Sequence, residues 1–163
     1  MSANKTARNI TLEVKWALLC KGISIDQQTN QVSLFSIVED LTINKSQGAP
    51  SPASKPSSFP AKTPINFEST LVVQLERGEG SHVIGFDPEM KLEIEDPVGE
   101  VMFERVFPIT FEEGKYRLRT IVGFNAVTVK DPGIYDYIVS VRASKNDSFR
   151  EEAIVPLEIK ILE

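Results

Sequence analysis

The sequence predicts an all-β fold, a single antiparallel β-sandwich of seven or eight strands over residues 1–163 with a long Ser/Pro-rich insert. Three observations lead there. Apolar residues recur with period two along most of the chain, turn formers separate those runs at short intervals, and no long stretch carries the 3.6-residue period of an amphipathic helix. A chain of 163 residues is long enough to bury an independent core without disulfide staples.

The first nine residues, MSANKTARN, lack apolar periodicity and are expected to be a flexible N-terminus. Ile10, Leu12, Val14, Trp16 and Leu18 then alternate with Thr11, Glu13 and Lys15, which predicts a half-buried strand with Trp16 on the core face. The run DQQTN at Asp26 to Asn30 supplies a turn. From Gln31 to Ile43 the pattern is mixed. Val32, Leu34 and Phe35 suit a strand, Ile37, Val38 and Leu41 would also fit one helix face, and a strand is the reading adopted.

Residues 45–64, KSQGAPSPASKPSSFPAKTP, hold five prolines and five serines and almost nothing that can join a core. A mobile exposed loop is expected, because proline cannot donate to a sheet ladder. Its Lys55, Phe59 and Lys62 are the candidate partner-contact residues, a small cationic patch with one exposed ring on an otherwise acidic chain. The prolines at 52, 56, 60 and 64 recur every four residues, not every three, which disfavours a polyproline docking motif.

Strands resume beyond the insert. Ile65, Phe67, Leu71, Val73 and Leu75 form one face, ended by Gly78-Glu79-Gly80. Met90, Leu92 and Ile94 form the next, followed by Asp96-Pro97-Val98-Gly99, with proline and glycine placed as a type I hairpin turn with a bulge prefers, and a return strand from Val101 to Phe107. Glu112-Glu113-Gly114 leads into Tyr116, Leu118, Thr120, Val122 and Phe124. Asp131-Pro132-Gly133 is a turn signal in which Gly133 is expected at positive φ as the third residue of a type II turn. Tyr135, Tyr137, Val139 and Val141 form the following face, and after Ser144 to Ser148 a last strand shows Ala153, Val155, Leu157, Ile159 and Ile161.

The pattern Asp131-x-Gly133-x-Tyr135-x-Tyr137 resembles the tyrosine corner of immunoglobulin-like sandwiches, with Tyr135 as the corner residue. Tyr137 stands where antibody-type domains carry a cysteine, so the resemblance implies the immunoglobulin-like or fibronectin-like sandwich and not its disulfide-bonded class. A second set of segments is similar to a group of small prokaryotic proteins of unassigned function: Ala17-Leu18-Leu19-Cys20 with Ile25-Asp26, the run VSLFSIVED from Val32 to Asp40, Asp96-Pro97-x-Gly99, and the Gly133-x-Tyr135 strand. That resemblance implies one β-sandwich domain with no established activity or catalytic residues. The long Ser/Pro insert departs from the shorter connection expected there.

Composition limits function more than it assigns it. A net charge of −5 disfavours general binding to nucleic acid or anionic membranes. The N-terminus lacks the apolar centre of a secretory signal, and one cysteine, Cys20, permits no internal disulfide, so the cytoplasm is the expected compartment. Cys20 ends an apolar strand and reads as a small buried hydrophobe, and His82, the only histidine, has no sequence-adjacent nucleophile. Two Cys or His residues cannot make a structural zinc site. The acidic run of Asp87, Glu89, Glu93, Glu95, Asp96 and Glu100 invites a calcium reading, yet Glu93 and Glu95 fall on the solvent face of a strand and Asp87 and Asp96 each precede a proline as turn formers. Gly78-Glu79-Gly80 lacks the third glycine and the helix of a phosphate loop. No catalytic residue, metal or cofactor is therefore expected. The expected role is a non-enzymatic protein-binding or scaffold module, with self-association through a sheet edge among its modes. The alternative is a carbohydrate-binding or hydrolytic sandwich, which would need exposed aromatics or convergent carboxylates.

Overall fold

A computed structural model describes residues 11–44, 63–78 and 86–162. The N-terminal segment, His82, Glu79 and Gly80, and the insert with Lys55, Phe59 and Lys62 lie outside the described residues. Nine strands, and no helix, make up the described secondary structure: β1 (Leu12–Ile25), β2 (Val32–Ile37), β3 (Asp40–Asn44), β4 (Thr63–Arg77), β5 (Glu89–Glu95), β6 (Val101–Pro108), β7 (Arg117–Val129), β8 (Gly133–Arg142) and β9 (Arg150–Leu162). They form two sheets, in the orders β2-β1-β4-β7 and β3-β9-β8-β5-β6. Leu71, Val73 and Leu75 of the first sheet and Met90, Leu92, Tyr137 and Leu157 of the second join one buried cluster, so the fold is a β-sandwich.

One feature raises the strand number above the seven or eight expected. The segment from Gln31 to Ile43 is two strands, with β2 on β1 and β3 on β9. The crossing lies at Val38 and Glu39, where Val38 N donates to Leu19 O of the first sheet at 2.9 Å and Glu39 O accepts from Glu158 N of the second at 2.9 Å. Apolar residues on both sides of that crossing serve different sheets, which is why their pattern looked helical. The β3–β9 pair is also parallel, the one departure from antiparallel pairing in these ladders. At the other boundary, Thr63 and Pro64, assigned to the insert by composition, begin β4.

Strand β1 corrects the simple alternation. Its register against β4 shifts between Val14 and Trp16, a bulge at Lys15. One extra residue reverses the faces downstream. Leu19 is therefore fully buried in the core and Ala17 packs against it, while Trp16 and Leu18 fall on the outer face and only half-bury. Trp16 is not a core residue.

The outer face is itself partly covered. β1 leaves β4 at Cys20, which pairs with both Thr70 and Ile37, and continues as a hairpin with β2. The hairpin tip comes back onto the sheet, where Arg119 Nη2 donates to Asn30 O at 2.9 Å and Nη1 donates to Asn30 Oδ1 at 3.1 Å. Asp26 shapes that tip by accepting from the backbone N–H groups of Gln28 and Thr29 at 2.8 Å each. Cys20 is buried as expected; its thiol sits 3.5 Å from Thr70 O, and burial raises its pKa.

The tyrosine corner forms. Tyr135 is fully buried, and its hydroxyl donates to Asp131 O at 2.9 Å while accepting from Lys130 N at 3.0 Å and Asp131 N at 3.3 Å. Gly133 has positive φ, but at 144° it is not the third residue of a type II turn. Glycine is needed for that backbone conformation and because a Cβ there would lie 2.8 Å from the Pro97 ring. The Asp96 to Gly99 turn packs against this corner. Gly99 adopts φ 82° and its N–H donates to Asp96 O at 2.9 Å, while Asp96 Oδ1 accepts from Val98 N and Glu100 N. The Glu100 N–H first, and the neighbouring Lys130, hold the Asp96 carboxyl below its ordinary range despite desolvation.

A cationic cleft at the β4 end

The opposite end of the sandwich carries a different chemistry. Alternation along β4 turns Leu75 and Arg77 inward and Glu76 outward, so an arginine occupies the last core-facing position of an apolar strand. Arg77 is 7% exposed. Its main chain is fixed by Arg77 N donating to Tyr116 O, and the next residue by Gly78 N donating to Thr11 O, both at 2.9 Å. Its guanidinium carbon lies 5.1 Å from the centre of the Phe111 ring and 5.7 Å from that of Tyr116, within cation–π range of both. Phe86 packs on Phe111 with ring centres 6.1 Å apart.

The two rings leave the hydrogen bonding of Arg77 incomplete. Nε and Nη2 are buried and have no acceptor among the described residues. Burying a charged donor without a partner is costly, and an aromatic face compensates only part of that cost. A cleft of about 580 Å³ opens beside the guanidinium, walled by Asn30, Gly114, Lys115, Tyr116 and Arg117. A second cleft of about 890 Å³ shares Asn30, Lys115 and Arg117 and runs along the outer face of the first sheet past Trp16, Gln74 and Ile121.

Glu76, Arg117 and Arg119, near the cleft, have partners. Glu76 bridges Arg117 at 2.6 Å and Lys15 at 3.5 Å. The Arg117 hydrogen bond, with Lys15 adding to it, holds the Glu76 carboxyl below its ordinary range. Arg119 donates to Gln74 Oε1 at 3.2 Å as well as to Asn30. Among the described residues, the wall of the smaller cleft presents Arg77, Lys115 and Arg117 against Glu76, a local cationic excess on a chain of net charge −5.

The acidic run considered for calcium is dispersed among cations. Asp87 pairs with Lys145 at 2.9 Å, Glu93 with Lys91 at 2.6 Å, Glu89 with Arg142, and Asp96 with Lys130 at 3.5 Å. Among the described residues no three Asp, Glu, His or Cys side chains are grouped to hold a metal ion. Most described aromatics are buried or half-buried; Phe35, at 54%, and Tyr116, at 49%, are the large exposed rings.

Sequence reading did not single out Arg77, Tyr116, Asn30 or Arg119. One signal was legible, namely a cation continuing the inward series Leu71, Val73, Leu75. The aromatic pair around it was not: Tyr116, which alternation places at the start of a strand, lies in the connection just before β7, and Phe111 lies in the same connection, whose path no local pattern fixes.

No family model matches the chain, and no curated protein matches it. Among solved structures it is similar to the extracellular domain of a protein described as a hybrid two-component system from B. thetaiotaomicron, with 11% identity and a TM-score of 0.27. The similarity covers 93% of this chain and 15% of that one.

Proposed function

We propose that the chain is a non-enzymatic protein-binding module, an immunoglobulin-like sandwich that takes up a strand of another protein at the edge of β7, which no strand among the described residues pairs on its outer side. The observation that carries this reading is the character of that edge. β7 spans Arg117–Val129 at the margin of its sheet, and from Thr120 to Val129 it has no charged residue and no proline. Natural edge strands are usually guarded by charges, proline, bulges or shortness. The other margins have such features: β6 carries Glu104, Arg105 and Pro108, β3 is five residues long, and β2 is six residues long with Ser36 at φ 53°. Ile121, 44% exposed, stands within the unguarded part of β7.

The immunoglobulin-like description draws support from the Tyr135 corner and from a first-half strand, β3, lying parallel to the last strand, β9. Cytoplasmic placement is part of the same proposal and rests on the single buried thiol of Cys20. Parallel affinity capture with the native chain and with Ile121→Lys tests the reading. A protein, or a second copy of this chain, held by the first and lost with the second supports strand addition at β7. Equal capture by both refutes it.

A further inference from the structure

We propose that the cleft beside Arg77 is a binding site for a carboxylate group. The inference does not depend on strand addition at β7, and it rests on the unpaired fork of a buried arginine. Nε and Nη2 lie along one edge of a guanidinium and together match the two oxygens of a carboxylate. In Arg77 these are the two nitrogens that lack an acceptor.

The surroundings favour a planar anion. Phe111 and Tyr116 lie near the guanidinium at 5.1 and 5.7 Å, leaving its in-plane edge as the place for an acceptor. Arg77 is itself only 7% exposed, so an oxygen bound to its guanidinium would meet low-dielectric surroundings where a charge-assisted hydrogen bond is strong. Lys115 and Arg117 on the cleft wall draw an anion toward the site, although Arg117 is shared with Glu76. Both nitrogens are covered in the free protein, and the Tyr116 ring, 49% exposed and 5.7 Å from the guanidinium carbon, is the group we assign to give way when a carboxylate enters. Binding therefore couples to movement of that ring.

The ligand is a carboxylate carried either by a small organic acid or by the C-terminus or an acidic side chain of a peptide. Acetate and succinate sample the first source. A short peptide with a free C-terminal carboxylate, compared with its amide-capped form, samples the second. Titration of the full chain with each probe, followed by the Arg77 Nε–H resonance and by the thermal midpoint, is the test. A saturable shift of the Nε–H signal and a rise in midpoint with succinate or the free-acid peptide are expected. Arg77→Met should weaken that binding at least about tenfold, as loss of a charge-assisted pair requires. Arg77→Lys, which keeps the charge and loses the fork, should also weaken it.

Response to the small acids points to a free metabolite carboxylate, and response to the free-acid peptide alone points to a partner chain. No movement of the Nε–H signal with any carboxylate overturns the proposal, and that measurement stands even if Arg77→Met fails to fold. Inorganic phosphate binding as tightly as succinate overturns the preference for a planar acid. Ile121→Lys should leave carboxylate binding unchanged, which separates failure of this site from failure of the β7 edge.

Discussion

Replacing Tyr135 by phenylalanine removes one oxygen and three hydrogen bonds while keeping the ring in place. The ring is fully buried, so no water takes the position of the lost hydroxyl without opening the corner. Asp131 O loses its donor at 2.9 Å, and Lys130 N and Asp131 N lose a shared acceptor. Asp131 is exposed and Lys130 half-buried, so solvent can reach part of this backbone after the change. The loss is then close to that of two net buried hydrogen bonds, about 2 to 3 kcal/mol. For a domain of this size that corresponds to a midpoint drop of about 4 to 12 °C. Equilibrium unfolding in urea, with Tyr116→Phe as control, measures it. Tyr116 is half-exposed, and its variant should change stability by less than about 0.5 kcal/mol. Equal midpoints for the two variants, at unchanged denaturant slope, would refute the energetic role assigned to the corner.

The β1 bulge makes a paired expectation: Leu19→Ala should cost about 2 to 5 kcal/mol as a fully buried core deletion, and Leu18→Ala, half-buried on the outer face, distinctly less. The reverse order in chemical denaturation would place the bulge elsewhere. Tyr137 supplies a pH dependence, since burial pushes its pKa from the ordinary 10.0 up to about 12. In that interval the unfolded chain loses the phenolic proton and the folded chain keeps it, so the contribution is complete below pH 10 and is lost toward pH 12. The slope is at most about 1.4 kcal/mol per pH unit. Subtracting the profile of Tyr137→Phe from that of the native protein isolates it, and a flat difference would count against burial as the cause.

The resemblance to small prokaryotic sandwich proteins implied no assigned activity, and the cleft at Arg77 and the β7 edge are the surfaces on which a specific role can now be tried. Neither contains a residue that composition nominates. Composition points to Lys55, Phe59 and Lys62 because it marks a segment unable to join a core, whereas it cannot reveal which side of a core strand ends in an unpaired cation.

The sequence by itself determined the faces of β5, β8 and β9 and where the chain turns sharply. Period-two alternation placed Met90, Leu92 and Ile94, then Tyr135, Tyr137, Val139 and Val141, and then Val155, Leu157 and Ile159 on buried faces, because such a pattern needs only near neighbours to be read. The Asp131 to Tyr135 pattern located the corner because its hydroxyl bonds four and five residues back. Tertiary structure decided everything that depends on a distant partner. The pairing of β1 with β4 sets the Lys15 bulge and reverses Trp16 and Leu19. The crossing at Val38 and Glu39 divides one apolar run between two sheets, and Arg119 brings Asn30 back over the first sheet from a position 89 residues away. Alternation records only which side of its own strand a residue occupies. Which strand lies beside it, and which ring lies over a buried charge, follow from the free energy of packing distant segments together.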